Sequence, residues 1–105
     1  MIEIIIPFIQ GADQFAFSAY GKAAELEPQN PAIYVDWGRA GLVLADRLGL
    51  LAGQASGGER ARIEEGRQAV LEEVEKVLQK AIDAKRDHAP AHFLLAQTAL
   101  RLGNA

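Results

Sequence analysis

Between residues 13 and 27 the apolar side chains Ala16, Phe17, Ala19, Tyr20, Ala23, Ala24 and Leu26 recur at intervals of three and four. That spacing predicts a helix with one buried face. Pro28-Gln29-Asn30-Pro31 ends it, because Pro28 lacks an amide hydrogen and disfavours helix in the residue before it. Asn30 is suited to cap the next helix, with Pro31 in its first turn. Ile33, Tyr34, Trp37, Ala40, Gly41, Leu44, Ala45 and Leu48 then form a second stripe, running to about Leu51.

Ala52-Gly53-Gln54-Ala55-Ser56-Gly57-Gly58 reads as a loop, and Ser56 with Glu59 has the spacing of a capping box. From Glu59 to about Lys85 there is no proline, and Ile63, Val70, Val74, Val77, Ala81 and Ala84 make a third stripe, widened by Leu71, Leu78 and Ile82. Asp87-His88-Ala89-Pro90 is a second stop and restart. A last helix is expected from Ala91 to Leu102, closed by Gly103-Asn104. Four helices and no strand follow from the pattern, so the expected class is all-α.

The chain also repeats itself. Tyr20-Gly21-Lys22-Ala23-Ala24-Glu25-Leu26 and Leu78-Gln79-Lys80-Ala81-Ile82-Asp83-Ala84 share one order: bulky, polar, Lys, Ala, apolar, acidic, apolar. A turn and a new helix start follow each, which is the mark of a helical array. These residues resemble the tetratricopeptide repeat, whose units are two antiparallel helices touching at small residues. Ala16, Ala23 and Pro28 match the second-helix pattern, and Gly11 matches the turn between helices. Tyr34, Gly38 and Ala45 look like the first helix of the next unit, with Trp37 where leucine is more usual. Ala81 matches the small position again, and Leu95, Ala96 and Gly103 suit a further first helix. Close helix contacts are therefore expected at Ala16, Ala23, Gly38, Ala81 and Ala96.

The departures are Gly41 in place of tyrosine, Val74 in place of alanine and Arg86 in place of the closing proline. Spacing departs furthest. Pro31 to Ala89 is 58 residues, against about 34 in the family. The resemblance thus implies an antiparallel helix-turn-helix solenoid segment with an elongated central hairpin. It divides the chain into a partial first repeat at 1–30, an extended second at 31–88 and the first helix of a third at 89–105. Residues 1–10 fit the end of a first helix, bent at Pro7. The last helix carries apolar residues on more than one face, whereas arrays normally end in polar caps. The segment is therefore expected either to continue into further helices or to cover its ends by self-association.

Composition narrows the functions. Of 105 residues half are hydrophobic, enough for a core. A net charge of −3 gives no field for attracting phosphates, so no nucleic-acid partner is expected. Cysteine is absent, which removes thiolate metal sites and a cysteine nucleophile. No apolar run reaches the roughly 18 residues needed to span a bilayer, so direct membrane insertion is not expected. Gly11-Ala12-Asp13-Gln14-Phe15-Ala16 is similar to repeat tails on bacterial membrane proteins of the polysaccharide-polymerase type. The sequence does not identify the compartment; the cytoplasm is slightly favoured, with a soluble tail of such a membrane protein as the alternative.

Candidate chemistry is sparse. His88 and His92 have metal-ligand spacing, but His88 falls in a turn and no further ligands accompany them, so no metal is expected. Ser18, Ser56 and Thr98 lie in no nucleophile motif, and Gly57-Gly58 lacks the lysine of a phosphate loop. No catalytic residue, enzyme activity or cofactor is expected. In the family resembled, first-helix residues line a groove that grips a protein or peptide partner. Carried over, those positions are Val35, Asp36, Arg39, Leu42, Val43, Phe93, Leu94, Gln97 and Arg101. They do not reproduce the basic-and-asparagine clamp some members use for terminal carboxylates, because Val35 and Leu94 replace polar residues. The expected role is a protein-interaction scaffold, with homo-oligomerisation as the alternative.

Overall fold

The computed structural model describes the backbone of residues 11–103 and the side chains of residues 18–103. Within them the chain is all-α, with helices α1 (Gly11–Leu26), α2 (Pro31–Gln54), α3 (Gly57–Ala84) and α4 (Ala89–Leu102). The expectation placed on residues 1–10 and the side-chain contact at Ala16 lie outside the described residues.

Each helix boundary has a local cause. The Asn30 side chain accepts from the Ala32 amide at 3.0 Å, which satisfies one of the amides a helix start leaves open. Pro31 follows in the first turn. Gly103 adopts φ 79 after α4, and its amide bonds back to the carbonyls of Ala99 and Leu100. Three expectations are corrected. Gly11 belongs to α1 rather than to a turn. The long loop contracts to Ala55-Ser56, because Gly57 takes φ 60 and reverses the chain at once. Ser56 stands at the cap of α3 without a side-chain bond, so the capping box does not form; the left-handed residue stands between it and the first turn.

Successive helices alternate in direction. α2 packs most extensively on α3, α3 on α4, α1 on α2, and α2 on α4. Hence α2 and α4 run parallel, side by side, with α3 bridging them. The molecule measures 43 × 30 × 16 Å, and its long dimension is close to the length of the 28-residue α3, about 42 Å at 1.5 Å per residue.

The core is a seam between α2 and α3. Leu44, Ala45, Leu48, Val70, Leu71, Val74, Val77, Leu78 and Ala81 are all buried. The two helices are in tight contact at Gly38, where an added Cβ would lie 2.6 Å from Leu78 Cδ2 and 2.9 Å from Leu78 Cγ. Leu78 is itself wholly buried, so it has little room to yield. α1 meets α2 through Trp37, whose ring would be 3.6 Å from a Cβ on Gly21. Trp37 stacks on Tyr34 at 6.5 Å between centroids, and the Tyr34 hydroxyl donates to the Pro28 carbonyl at 2.9 Å. That bond ties the α1–α2 turn to the core.

Of the expected small-residue contacts, Gly38 and Ala81 lie buried between helices and Ala23 is half-buried. Ala96 is exposed, which corrects that expectation. The buried face of α4 is instead Ala91, Leu94 and Thr98, because among the described residues α4 packs on α3 and α2.

Gly38→Val should therefore destabilise the fold by about 2–3 kcal/mol through overpacking. At Gly53 an added Cβ meets nothing within 4 Å, so Gly53→Ala should stabilise by up to about 1 kcal/mol through helix propensity. Urea unfolding followed by circular dichroism measures both, and a neutral Gly38→Val would contradict the tight contact.

Candidate functional site

A groove of about 610 Å³ opens between the parallel helices α2 and α4. Leu42, Val43, Pro90, Phe93 and Leu94 supply apolar walls, and Arg39, Asp46, Gln97 and Arg101 supply polar edges. Its origin is geometric. Parallel helices separated by a third leave a channel that their own side chains do not fill. α2 offers Arg39, Leu42, Val43 and Asp46 at spacings of three and four, so all four share one side of the helix. α4 offers Pro90, Phe93, Leu94, Gln97 and Arg101 in the same way.

Arg39, Leu42, Val43, Phe93, Leu94, Gln97 and Arg101, expected from the sequence to line a groove, come together here. Val35 and Asp36 do not. Val35 is only 4% exposed and belongs to the core. Asp36 points outward and accepts from Arg39 at 3.1 Å. One turn of helix accounts for both: positions 35 and 36 precede the stretch of α2 that faces α4.

Asp46 was not among the expected residues. Arg101 donates to it twice, from Nε to Oδ1 at 2.9 Å and from Nη2 to Oδ2 at 3.0 Å. This paired geometry fixes both side chains. Arg101 also donates from Nη1 to the Gln97 carbonyl at 3.2 Å. The Arg101 hydrogen bond holds the Asp46 carboxyl below the usual carboxylate range, against the opposing effect of partial burial, and the charges of Arg101 and Arg67 act in the same direction. The sequence held one signal, since Asp46 continues the Arg39–Leu42–Val43 stripe; its partner, 55 positions away, becomes apparent only when α2 and α4 lie side by side.

The groove therefore presents an apolar floor bounded by guanidinium groups that already have acidic neighbours. Its lining contains no Ser, Thr, Cys, His or Lys. The hydroxyl of Thr98 is turned inward and donates to the Leu94 carbonyl at 2.8 Å. His92 Nε2 lies 2.7 Å from the Arg86 carbonyl oxygen, across the α3–α4 turn, and His88 stands at the cap of α4. Among the described residues no group of three or more His, Cys, Asp or Glu is placed to hold a metal ion. No described helix is long and apolar enough to cross a membrane. Comparison with family models, curated proteins and solved structures gives no match.

The Asp46–Arg101 pair has a definite pH signature. Because the folded pKa of Asp46 is lowered, its contribution is present above the ordinary aspartate value of about 3.9. It is lost as the pH falls through the lower folded value. The carboxylate is half-exposed, so the contribution is small, about 0.5–1 kcal/mol. Asp46→Asn should be less stable than the parent by that amount at pH 7, and the gap should close as the solution is acidified. An equal gap at all pH values would show that packing, not charge, holds the pair.

Proposed function

We propose that this chain is a non-catalytic protein-interaction module built from tetratricopeptide-like helix pairs, and that it holds a segment of a partner protein in the α2–α4 groove. The observation that carries this reading is the groove itself. Its apolar walls, Leu42, Val43, Pro90, Phe93 and Leu94, remain open to solvent at Val43 (48% exposed) and Phe93 (63%). Large apolar groups gathered in a concavity and rimmed by polar ones mark a recognition surface.

Three further features support it. Parallel α2 and α4 with antiparallel α3 between them is the arrangement that stacked helix pairs produce. Within the α2–α3 pair Gly38 lies against Leu78 and Ala81 is fully buried, small residues at the positions where the family resembled carries them. The one carboxylate of the polar rim, Asp46, is held by two hydrogen bonds from Arg101, which suits a structural role in a binding surface.

The chemistry of the groove restricts the ligand. Arg39 and Arg101 already face Asp36 and Asp46, so a strongly acidic ligand would have to displace an existing partner. A segment offering one or two large apolar side chains, with backbone groups to meet Gln97 and Arg39, fits better. An aliphatic or aromatic anchor in such a concavity commonly dominates the affinity.

A peptide-display selection against the intact chain tests this. The selected peptides should be rich in Leu, Ile, Phe or Trp anchors, and Val43→Glu should weaken their binding at least about tenfold, the equivalent of 1.4 kcal/mol. Glu64→Ala, at the far end of α3, should leave binding unchanged. Selected peptides indifferent to Val43→Glu would remove the groove from consideration.

A further inference from the structure

The two ends of α4 are held by different means. At its start, the turn of residues 85–88 is closed by the His88 amide, which donates to the Lys85 carbonyl at 3.1 Å. His92 Nε2 meets the Arg86 carbonyl oxygen there at 2.7 Å, and Ala91, Leu94 and Thr98 are buried. Past Thr98 no side chain of α4 is fully buried: Ala99 and Leu102 are half-buried and Leu100 is exposed. The contact of α4 with α2 is smaller than its contact with α3. At this end Arg101 reaches across to α2 and holds both carboxylate oxygens of Asp46. Its bond to the Gln97 carbonyl keeps the guanidinium aimed.

A second guanidinium stands near the same carboxylate. Arg67 of α3 lies across α2 at Gly49, where its Nε would be 3.5 Å from an added Cβ. Positions 46 and 49 are three apart on one helix, so they are surface neighbours about 5–6 Å apart. A rotamer change brings the end of Arg67 to Asp46. Its charge already acts on the Asp46 carboxylate in the same direction as that of Arg101. Arg67 is half-buried and makes no hydrogen bond or ion pair among the described residues. A guanidinium partly withdrawn from water gains by pairing with a carboxylate in reach.

We propose that Asp46 is the shared acceptor of a two-position latch on the groove. In the closed position, the one described above, it holds Arg101 and pins the end of α4 to α2. In the open position it turns to Arg67, Arg101 passes to water, and α4 swings about the α3–α4 turn. No charge is stranded by the exchange. A half-exposed pair contributes little to stability, so the two positions lie close in free energy, as a switching element requires. A swing of about 10° moves the end of α4, about 21 Å from the turn, by about 4 Å, and moves Gln97 by about 2 Å. The closed position therefore grips a segment in the groove and the open one loosens it. The inference rests on the reading of the groove as a binding surface only for that last step.

The chain has no cysteine, so nitroxide labels can be placed singly. Leu50→Cys on α2 with Leu100→Cys on α4, both at exposed positions, reports the latched end by pulsed electron paramagnetic resonance. Leu50→Cys with Glu75→Cys reports the α2–α3 seam as a control. Arg101→Gln should add a 50–100 population about 4 Å longer and leave the control distance unchanged. Asp46→Arg combined with Arg101→Asp, which reverses the pair, should restore the parent distance. The exchange itself is read from the Asp46 carboxyl carbon during an acid titration followed by NMR. In Arg101→Gln it should still titrate below the ordinary aspartate value, and adding Arg67→Gln should return it to that value. A display-selected groove peptide should bind Arg101→Gln about two- to fivefold more weakly than the parent. An unchanged 50–100 distance in Arg101→Gln, or an ordinary Asp46 titration there with Arg67 intact, would overturn the latch. Widening and titration as expected, with no peptide bound by any form, would uphold the latch and remove only the reading of the groove as a binding surface.

Discussion

Leu78 fills the space that any side chain on residue 38 would need. With an added Cβ only 2.6 Å from Leu78 Cδ2, the position is closed to everything larger than hydrogen unless the helices move apart. A glycine inside a helix costs about 1 kcal/mol relative to alanine, and the cost is offset by the depth to which Leu78 is inserted. The separation of α2 and α3 follows from that one contact. α4 packs on both, so the position of α4 relative to α2, and with it the groove, inherits the same constraint. Opening the pair by the width of a methyl group would also disturb Val74, Val77 and Ala81, which line the same seam and are fully or almost fully buried.

The helices themselves were legible because their signals are local. Asn30 and Pro31 at the start of α2, Gly103 after α4, and the three-and-four spacing of the apolar residues act within a turn or two of the chain. The two-residue α2–α3 turn was not legible. Ala52-Gly53-Gln54 looks like loop by composition, but its alanine is buried and the helix continues because Ile63 and its neighbours on α3 offer a surface to pack on. Tertiary burial outweighs local propensity there. Ala96 failed for the converse reason: its sequence position matches a contact, and the helix that would make the contact is not among those described.

The groove was legible in part. A repeat register identifies which side of a first helix faces the concavity, and it brought Arg39, Leu42, Val43, Phe93, Leu94, Gln97 and Arg101 together. It did not give the axial offset between α2 and α4. That offset leaves Val35 and Asp36 off the lining and brings Asp46 beside Arg101. Such an offset depends on how side chains interleave across two helices 55 residues apart in sequence, and no local pattern encodes it. The ion pair in turn tempers the electrostatics. A groove flanked by two guanidinium groups would attract carboxylates; one in which each guanidinium already faces an aspartate selects by apolar fit.

The lengthened hairpin raises a separate question: what closes its tip, beyond the reach of α4? The 14 residues of α4 extend about 21 Å, and the 24 of α2 about 36 Å. Asp46 already lies beside Arg101, near the end of α4, so among the described residues the last two turns of α2 face α3 beyond the reach of α4. There the seam narrows to Leu48, Ala52, Ile63 and Gly66, all buried between α2 and α3 among the described residues. Small residues achieve this. Ala52 and Gly66 let the helices come close enough to cover each other's apolar strip, and Leu50, which faces away, stays 72% exposed. A two-helix tip is thin and has little apolar area to bury, so its opening free energy is expected to be lower than that of the three-helix region. The rigidity of the groove therefore comes from the part of the hairpin that α4 covers, and the projecting tip can fray without altering the distance between Val43 and Phe93.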